Sequence, residues 1–331
     1  MHYHQPAWTM VGGGIFSDSS TAKKMTSVIP TGAKFINDEV VRLDPGLNKI
    51  QLKGNKEISY EILAICPGVK LNWEAINGLN ETIGKNNVTS NYRYDLASYT
   101  WHLVRRFNKG NAIFTQPKLP IKCTNAPQKA MYLSAEHWVR QKRINNISLN
   151  YYSAENITLA DKKRAENLKD YAGKNSAKFH FNHDLIKVDG DRKYAYFKVT
   201  DSNANTYVVE KKFDLIHVVP PQRTPDFIYY SNLVDIHGWL EVNPKTLRHI
   251  KYENIYGLGD VINLPDKKTA AAAIAQAKIT AMNILFDLKA VIRREFYNGY
   301  GSISLITKYG ELNLAEYGYA DRCYLDFLST T

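Results

Sequence analysis

The chain has 331 residues, of which 44% are hydrophobic and 23% are charged, and its formal net charge at pH 7 is +11. These values are ordinary for a globular protein of about two domains, and no apolar run reaches the ~18 residues that a membrane-spanning helix needs. The basic residues are spread along the chain, and the densest clusters, 140–143 and 162–164, lack interleaved aromatic residues. We therefore expect them to form a solvated or membrane-facing surface, with no nucleic-acid partner.

Cysteine usage indicates a reducing compartment. Cys66, Cys123 and Cys323 are widely spaced and odd in number. They provide neither a disulfide framework nor the paired spacing of a metal site, so no metal is expected and one functional thiol is the most we predict. Residues 1–6 have the composition of neither a signal peptide nor a transit segment, so the sequence predicts no targeting segment.

A segment repeated in pattern predicts the architecture. Residues 33–68 show a short strand, a three-stranded meander and a buried apolar strand that ends at a proline-containing break, and residues 177–221 repeat this order. Alternating hydrophobicity and turn residues support each strand. One structural unit is therefore used twice.

Helices and strands alternate between the two copies. The sequence predicts an amphipathic helix over 94–108, a strand over 111–115, a second helix over 126–142 and a strand over 147–152. This order predicts a doubly wound parallel sheet. Meanders that cross between parallel strands are typical of flavin-linked disulfide reductases and their relatives. The expected fold is therefore α/β, with tandem Rossmann-like dinucleotide-binding domains; an unrelated α/β protein with two hairpins is the alternative.

Residues 254–260 predict an apolar strand that ends at a Gly-Asp pair, followed by a helix from Thr269 to residue 285. Gly259 permits close approach of a ligand to the backbone, and Asp260 can accept hydrogen bonds from a polyol. The free N–H groups of the helix start favour an anionic ring edge. In isolation, Asp260 would equally well cap a turn. Together with the repeat, the pattern favours a flavin site.

Five segments carry a resemblance to a known family: His-Tyr-His-Gln-Pro-Ala-Trp-Thr at 2–9, Pro-Ile-Lys-Cys-Thr-Asn-Ala-Pro-Gln-Lys at 120–129, His-Val-Val-Pro-Pro at 217–221, the Gly-Leu-Gly-Asp to Lys-Thr-Ala-Ala-Ala stretch at 257–272, and Gly-Tyr-Gly-Ser at 299–302. They resemble the eukaryotic, mitochondrial type of sulfide:quinone oxidoreductase, a family of two-dinucleotide-domain flavoproteins. The similarity runs from about residue 2 to about residue 320.

The resemblance implies an enzyme that moves electrons from hydrogen sulfide through FAD to a membrane quinone and passes sulfur to a small acceptor. It also implies peripheral attachment to the inner mitochondrial membrane. The family keeps two cysteines beside the flavin, bridged by sulfur. Thiolates suit this cycle because each one serves as nucleophile and as leaving group.

By its place in the motif, Cys123 matches the cysteine that becomes the persulfide. The cationic neighbours Lys122 and Lys129 favour its thiolate. A small buried structural thiol is the alternative for Cys123, and the other two cysteines match no redox position. The positions that the resemblance places near FAD are Gln5, Val40, Lys129, Asp260 and Lys268.

Two departures from the family pattern matter. The family's FAD-cradling strand, Gly-rich turn and helix lie upstream of the motif that opens this sequence, and residues 12–14 lack the required glycine spacing. We therefore expect an incomplete N-terminal unit and weak or absent FAD binding. Furthermore, Val261 stands where the second redox cysteine belongs, and valine cannot bond to sulfur. The C-terminal region is also expected to be shortened.

The predicted domains are an FAD-binding domain at 1–110 without its first βαβ unit, a second nucleotide-domain-like unit at 111–225, a return to the FAD-binding domain at 226–290, and a truncated interface or quinone region at 291–331. Two alternatives to the family activity stay open. One is a catalytically inactive paralogue that binds partners or carries sulfur on Cys123. The other, a reductase of a disulfide or nicotinamide-linked acceptor, would need a Gly-rich turn after residues 147–152, where none is found.

Overall fold

The computed structural model describes residues 1–156, 177–264, 268–319 and 323–330. Its strands are β1 (His2–Tyr3), β2 (Ala22–Lys23), β3 (Val40–Asp44), β4 (Lys49–Leu52), β5 (Glu57–Ser59), β6 (Leu63–Ile65), β7 (Lys70–Leu71), β8 (Val88–Thr89), β9 (Gly110–Gln116), β10 (Ile147–Ser153), β11 (Lys178–His180), β12 (His183–Asp189), β13 (Tyr194–Thr200), β14 (Thr206–Lys212), β15 (Leu215–His217), β16 (Gln222–Arg223), β17 (Ile255–Gly257), β18 (Gly301–Lys308), β19 (Glu311–Tyr317) and β20 (Cys323–Thr330). Its α-helices are α1 (Trp8–Gly12), α2 (Leu79–Thr82), α3 (Tyr94–Arg106), α4 (Ala126–Arg140), α5 (Asp226–Tyr229) and α6 (Ala270–Asp287).

A five-stranded parallel sheet forms the centre of the second nucleotide-domain-like unit, in the order β11-β10-β9-β15-β8. β9 pairs with β10 on one side and with β15 on the other. Both β9 and β10 are largely buried and apolar, as expected of parallel strands that are covered on their faces. The predicted α/β fold with a parallel sheet is confirmed.

Helices α3 and α4 cover this sheet with large aromatic side chains. Trp138 of α4 packs in one buried cluster with Phe114 of β9 and Tyr151 of β10. Its indole N–H donates to the Val104 carbonyl at 2.9 Å and so fastens α4 to α3. Because aromatic side chains supply much of the buried apolar area of a core, this cluster holds α4 against the sheet.

The predicted repeat is present as two antiparallel meanders, β3-β4-β5 and β12-β13-β14. Each is followed by a short strand that joins a parallel pairing: the partly exposed β6 pairs with β17, and the buried β15 pairs with β9 and β8. The copies differ at their starts. The second begins with β11, whereas residues 33–37, predicted as a strand, form no strand. Lys178 of β11 has Asn150 of β10 beside it, and no described strand runs beside residues 33–37.

The FAD-domain-like part has a separate core around the β6–β17 pair. The buried residues of this cluster include Leu43 of the first meander, Ile65 of β6, Leu240, Ile255 of β17 and Val261. The following helix, α6, contacts the turn that contains Val261. The predicted domain boundaries stay predictions; β8, which lies within residues 1–110, pairs with β15 in the five-stranded sheet.

Helix ends differ from prediction by one or two residues for local reasons. α3 ends at Arg106 because Phe107 is already extended, and α4 ends at Arg140, two residues before the left-handed Lys142. The predicted strand over 254–260 is shorter, because a 3-10 turn takes up residues 259–261. C-terminal to α6, the chain forms an antiparallel sheet, β18-β19-β20, whose first strand packs beside α4.

Candidate functional site

Cys123 lies on the loop between β9 and α4. The strand order reverses between β9 and β15, and ligands of open α/β sheets bind at the carboxyl ends of the strands at such a point. The cysteine has φ = 53°, in the left-handed region that costs a non-glycine residue about 1 kcal/mol or more. Interactions around the loop therefore have to hold this conformation.

Side chains and backbone from distant segments hold the loop. The Leu119 amide donates to Oε1 of Glu155 at 2.7 Å, and the Lys122 amide donates to Oε1 of Gln222 at 2.9 Å. The Cys123 amide donates to the carbonyl of Lys268 at 2.8 Å. The loop is thus tied to the end of β10, to β16 and to the segment that leads into α6.

A buried cation faces the thiol. Nζ of Lys129, in the first turns of α4, lies 3.7 Å from Sγ of Cys123 and 3.5 Å from Oγ of Ser304. Lys129 is only 4% exposed. An ammonium is costly to bury without a negative partner, and a thiolate at this distance is such a partner. The geometry therefore places a buried cation in contact with the Cys123 sulfur.

Lys122 brings a second ammonium to the same side of the loop. Its Nζ donates to Oε1 of Gln5 at 2.5 Å and lies 5.7 Å and 5.6 Å from the ring centroids of Trp8 and Tyr92. Burial lowers the pKa of Lys122 to about 8, against the opposing charges of Asp260 and Cys123. The opening motif and the cysteine motif therefore meet in space.

Asp260 and Lys268 lie in the segment between β17 and α6. Burial raises the pKa of the Asp260 carboxyl, while the ammonium groups of Lys268 and Lys122 act in the opposite direction. Nζ of Lys268 donates to the carbonyls of Asp260 at 2.7 Å and Ile262 at 2.9 Å and lies 3.6 Å from the centroid of the Trp239 ring. The Lys268 ammonium thus binds protein carbonyls.

The start of α6 offers an open surface for a planar ring. Gly259 has φ = 76°, and a Cβ added there would meet only Ala273, at 3.9 Å. Its amide is held by Oε1 of Gln276 at 2.7 Å, and Thr269 caps the helix by accepting from the Ala272 amide at 3.2 Å. The remaining amides of the first turn have no partner within the helix. The open backbone, the helix start and Asp260 fit the ring end of a flavin.

Val261, directly after Asp260, is fully buried and belongs to the apolar cluster of the FAD-domain-like part. Cys123 packs at the edge of a different cluster, with Tyr92 and Ile121. Val40 also packs against the Val261 cluster, at the start of β3. Hydrogen bonds or charge interactions thus connect five of the predicted site residues: Cys123, Lys129, Lys268, Asp260 and, through Lys122, Gln5. Within the described residues, Val40 is not connected to them by such interactions and packs against the apolar cluster that contains Val261.

The glycines at 12–14 serve packing. An added Cβ would lie 2.2 Å from Oδ1 of Asn91 at Gly12, 2.7 Å from Leu133 at Gly13 and 2.5 Å from Trp101 at Gly14. The small residues let α1 approach α3 and α4 closely. This segment therefore serves helix packing, in agreement with its lack of the phosphate-turn spacing.

The order of the strands shows that a second Gly-rich, phosphate-binding turn would follow β9 and not β10. We expected it after β10, but the turn of a Rossmann unit follows the strand at the switch point, which is β9. Residues 117–125 there contain no glycine, and they carry Cys123 instead. Glu155 lies at the end of β10, the position at which dinucleotide-binding folds carry the acidic residue that binds the adenosine ribose. Here its carboxylate accepts a hydrogen bond from the Leu119 amide. The lack of glycine in residues 117–125 disfavours a nicotinamide dinucleotide, whereas the position of Glu155 is compatible with one.

Sequence reasoning missed several residues around the thiol: Ser304, Glu155, Gln222, Tyr92 and Trp239. Ser304 is 175 positions from Lys129 and Gln222 is 100 from Lys122, so no local spacing connects them. Glu155 had a signal, since it follows β10 as an acidic residue does in a dinucleotide fold. The polar contacts of the loop were therefore visible only in three dimensions.

The fold and the site together define a flavoprotein oxidoreductase with two dinucleotide-type domains and a thiol at the switch point of the second. No protein-family model matches the chain. It is 36% identical to the mitochondrial sulfide:quinone oxidoreductase of Mus musculus over 318 residues and 38% identical to that of Dictyostelium discoideum over 320 residues. Each alignment covers 96% of this chain and 70% of the relative. The chain belongs to the sulfide:quinone oxidoreductase family.

Solved structures share the fold at lower identity. The sulfide:quinone oxidoreductase of Aquifex aeolicus superposes with a TM-score of 0.79 at 16% identity, covering 99% of this chain and 78% of that one. A chain in the cryo-EM structure of the Tetrahymena thermophila mitochondrial ATP synthase gives 0.80 at 20% identity, with coverages of 96% and 78%. A ferredoxin reductase from Rhodopseudomonas palustris gives 0.67 at 13%, with coverages of 96% and 74%. The family implies a flavin cofactor, and these solved structures share the fold.

Within residues 1–156, 177–264, 268–319 and 323–330, no helix is both long and apolar enough to cross a membrane. The same residues contain no group of three or more histidine, cysteine or acidic side chains arranged to hold a metal ion.

Proposed function

We propose that this chain oxidises hydrogen sulfide at Cys123 and passes the electrons through FAD to a quinone, as its family does. The observation that carries the proposal is the buried Lys129 ammonium, 3.7 Å from Sγ of Cys123. A structural thiol has no need of a buried cation, whereas a nucleophilic thiolate does. Attachment to the inner mitochondrial membrane and transfer of sulfur to a small acceptor belong to the same proposal.

FAD would be held mainly at its ring end. Gly259, Asp260 and the first turn of α6 would contact the ring and the adjoining polyol, with Lys129, Gln5 and Val40 as further candidates from the resemblance. When bound, the flavin supplies a two-electron acceptor.

The chain's own residues perform the sulfur chemistry. Joining of hydrosulfide to the Cys123 thiolate would form one S–S bond and release one proton and two electrons, which a bound flavin would accept. Lys129 stabilises the negative charge on the thiolate and then on the persulfide. Lys122, with its pKa near 8, holds a positive charge beside the incoming anion at neutral pH. A nucleophilic acceptor then takes the outer sulfur, and the Cys123 thiolate leaves.

The test compares wild-type protein with Cys123→Ser and, as the matched control, Cys66→Ser. Protein supplied with FAD, sulfide and a soluble quinone is assayed for quinone reduction and for sulfane sulfur released by cyanide. We expect Cys123→Ser to reduce the bound sulfane sulfur to background and Cys66→Ser to retain it. Equal sulfur on the wild type and on Cys123→Ser would contradict the proposal.

A second candidate function is a sulfur carrier without oxidase activity, which Val261 favours. A fully buried valine in place of the second cysteine can neither accept nor release sulfur. In this role, Cys123 takes sulfane sulfur from a donor persulfide by exchange, and the donor leaves as a thiolate, so no oxidant is required. Persulfide transfer in the absence of flavin, combined with no quinone reduction in its presence, would favour the carrier.

A further inference from the structure

The side chain of Lys268 is buried between the turn after β17 and the loop that carries Cys123. Lys268 is 2% exposed, and Nζ reaches two carbonyls of that turn, those of Asp260 and Ile262, at 2.7 and 2.9 Å. On its remaining side, Nζ faces Trp239, 3.6 Å from the ring centroid. Two carbonyls and an aromatic face together satisfy a buried ammonium, and this fixes its place.

The backbone of the same residue holds Cys123. The Lys268 carbonyl accepts from the Cys123 amide at 2.8 Å, and Cys123 is in a left-handed conformation that needs outside support. The Lys268 side chain therefore anchors the carbonyl that receives the thiol residue's amide. The anchor spans the two units of the molecule, because Asp260 belongs to the FAD-domain-like part and Cys123 to the loop after β9.

We propose that Lys268 is a positioning residue that holds Cys123 against Lys129, and that its ammonium acts through this backbone contact. The proposal rests on the proposed function only in that both concern the same thiol. It requires the Lys268 side chain to be engaged by protein groups in the absence of any cofactor. Without the anchor, Cys123 relaxes from its left-handed conformation, its sulfur leaves the Lys129 ammonium, and its reaction with electrophiles slows.

The test measures the rate of alkylation of each cysteine by iodoacetamide at pH 7, without flavin or sulfide, by peptide mass spectrometry. Lys268→Met is compared with the wild type, with Lys268→Arg and with Lys278→Met, which removes an exposed lysine of α6. We expect Lys268→Met to slow Cys123 by about tenfold, Lys268→Arg to restore part of the rate and Lys278→Met to leave it unchanged. Cys66 in the same samples reports general loosening.

An unchanged Cys123 rate in folded Lys268→Met would overturn the proposal, and so would equal changes at Cys123 and Cys66. If Lys268→Met does not fold, hydrogen exchange in the wild type decides. The proposal requires the Cys123 amide to be protected by on the order of 100-fold or more relative to a free peptide, and exchange at the free-peptide rate overturns it. Neither measurement uses sulfide or quinone. Both can therefore test the role of Lys268 even if the protein does not catalyse the proposed reaction.

Discussion

Lys268 connects the Cys123 loop to the Val261 turn, and these two segments are built differently. The loop carries a partly exposed thiol, two buried or half-buried ammonium groups and polar anchors. The turn carries a fully buried valine in an apolar cluster. The chemistry of nucleophilic sulfur is therefore retained on one side and replaced by core packing on the other. Since fold alone does not determine activity, the activity of the chain depends on this difference between the Cys123 loop and the Val261 turn.

The largest expected effect comes from restoring sulfur on the Val261 side. Val261→Cys is expected to raise sulfide-dependent quinone reduction by about 100-fold in protein supplied with FAD, because a held thiolate replaces an external one. Val261→Ala is the control, since it opens the same space without a nucleophile. If the valine form already turns over as fast as the cysteine form, the contrast between the two sides has no functional meaning.

Removing the cation on the Cys123 side has the next largest effect. Lys129→Met is expected to slow alkylation of Cys123 at pH 7 by about tenfold, because the buried ammonium that favours the thiolate is lost. Lys129→Arg keeps the charge and should retain most of the rate, and Ser304→Ala should change it less. A Lys129→Met variant that reacts at the wild-type rate would contradict the assignment of Lys129.

The contribution of Lys268 to the free energy of unfolding can be recognised by its pH dependence. Burial lowers the pKa of Lys268 from 10.5 to about 7, so between these values the unfolded chain binds more protons than the folded one. The contribution of Lys268 to the free energy of unfolding therefore rises with pH above 7, by at most about 1.4 kcal/mol per unit, and is constant below it.

Urea unfolding of the wild type and Lys268→Met at pH 6, 7, 8 and 9 tests this sign. The difference in unfolding free energy, wild type minus variant, should rise from pH 7 to pH 9. Burial also lowers the pKa of Lys122, to about 8, so its contribution to the free energy of unfolding also rises with pH. Because Lys122 is present in both proteins, this contribution cancels in the difference. Lys278→Met should show the slope of the wild type. A difference that falls with pH would contradict the lowered pKa of the buried Lys268.

Much of the fold could be predicted because periodicity and order are local properties. α3, α4, α6, both meanders and the strands around Cys123 follow from spacing within 10–20 residues. The strand expected at residues 33–37 was wrong, since a strand needs a partner and β11 has one in β10. For the same reason, the place of the second phosphate turn depended on strand order, which the sequence did not specify.

The motif residues of the candidate site were predictable from the sequence, whereas their distant partners and contacts were not. The motif placed Cys123, Lys122 and Lys129 within seven positions of one another, and the structure brings them together. That Lys268 turns inward to two carbonyls was not predictable, because these contacts depend on the turn after β17 and on Trp239. Long-range polar contacts are set by packing, and no short pattern encodes them.

The smallest expected effect concerns Glu155, which connects the end of β10 to the Cys123 loop. Glu155→Ala removes the acceptor of the Leu119 amide and should lower the free energy of unfolding by about 1 kcal/mol, the ordinary net value of one hydrogen bond. Glu155→Gln retains a carbonyl oxygen in the same place and should lose less. Cys123 reactivity should fall by about twofold or less in both, since Gln222 and Lys268 still hold the loop closer to the thiol. If Glu155→Ala slows Cys123 as strongly as Lys129→Met, the loop moves as one body, and the acid at the end of β10 contributes to the thiol chemistry of this unit.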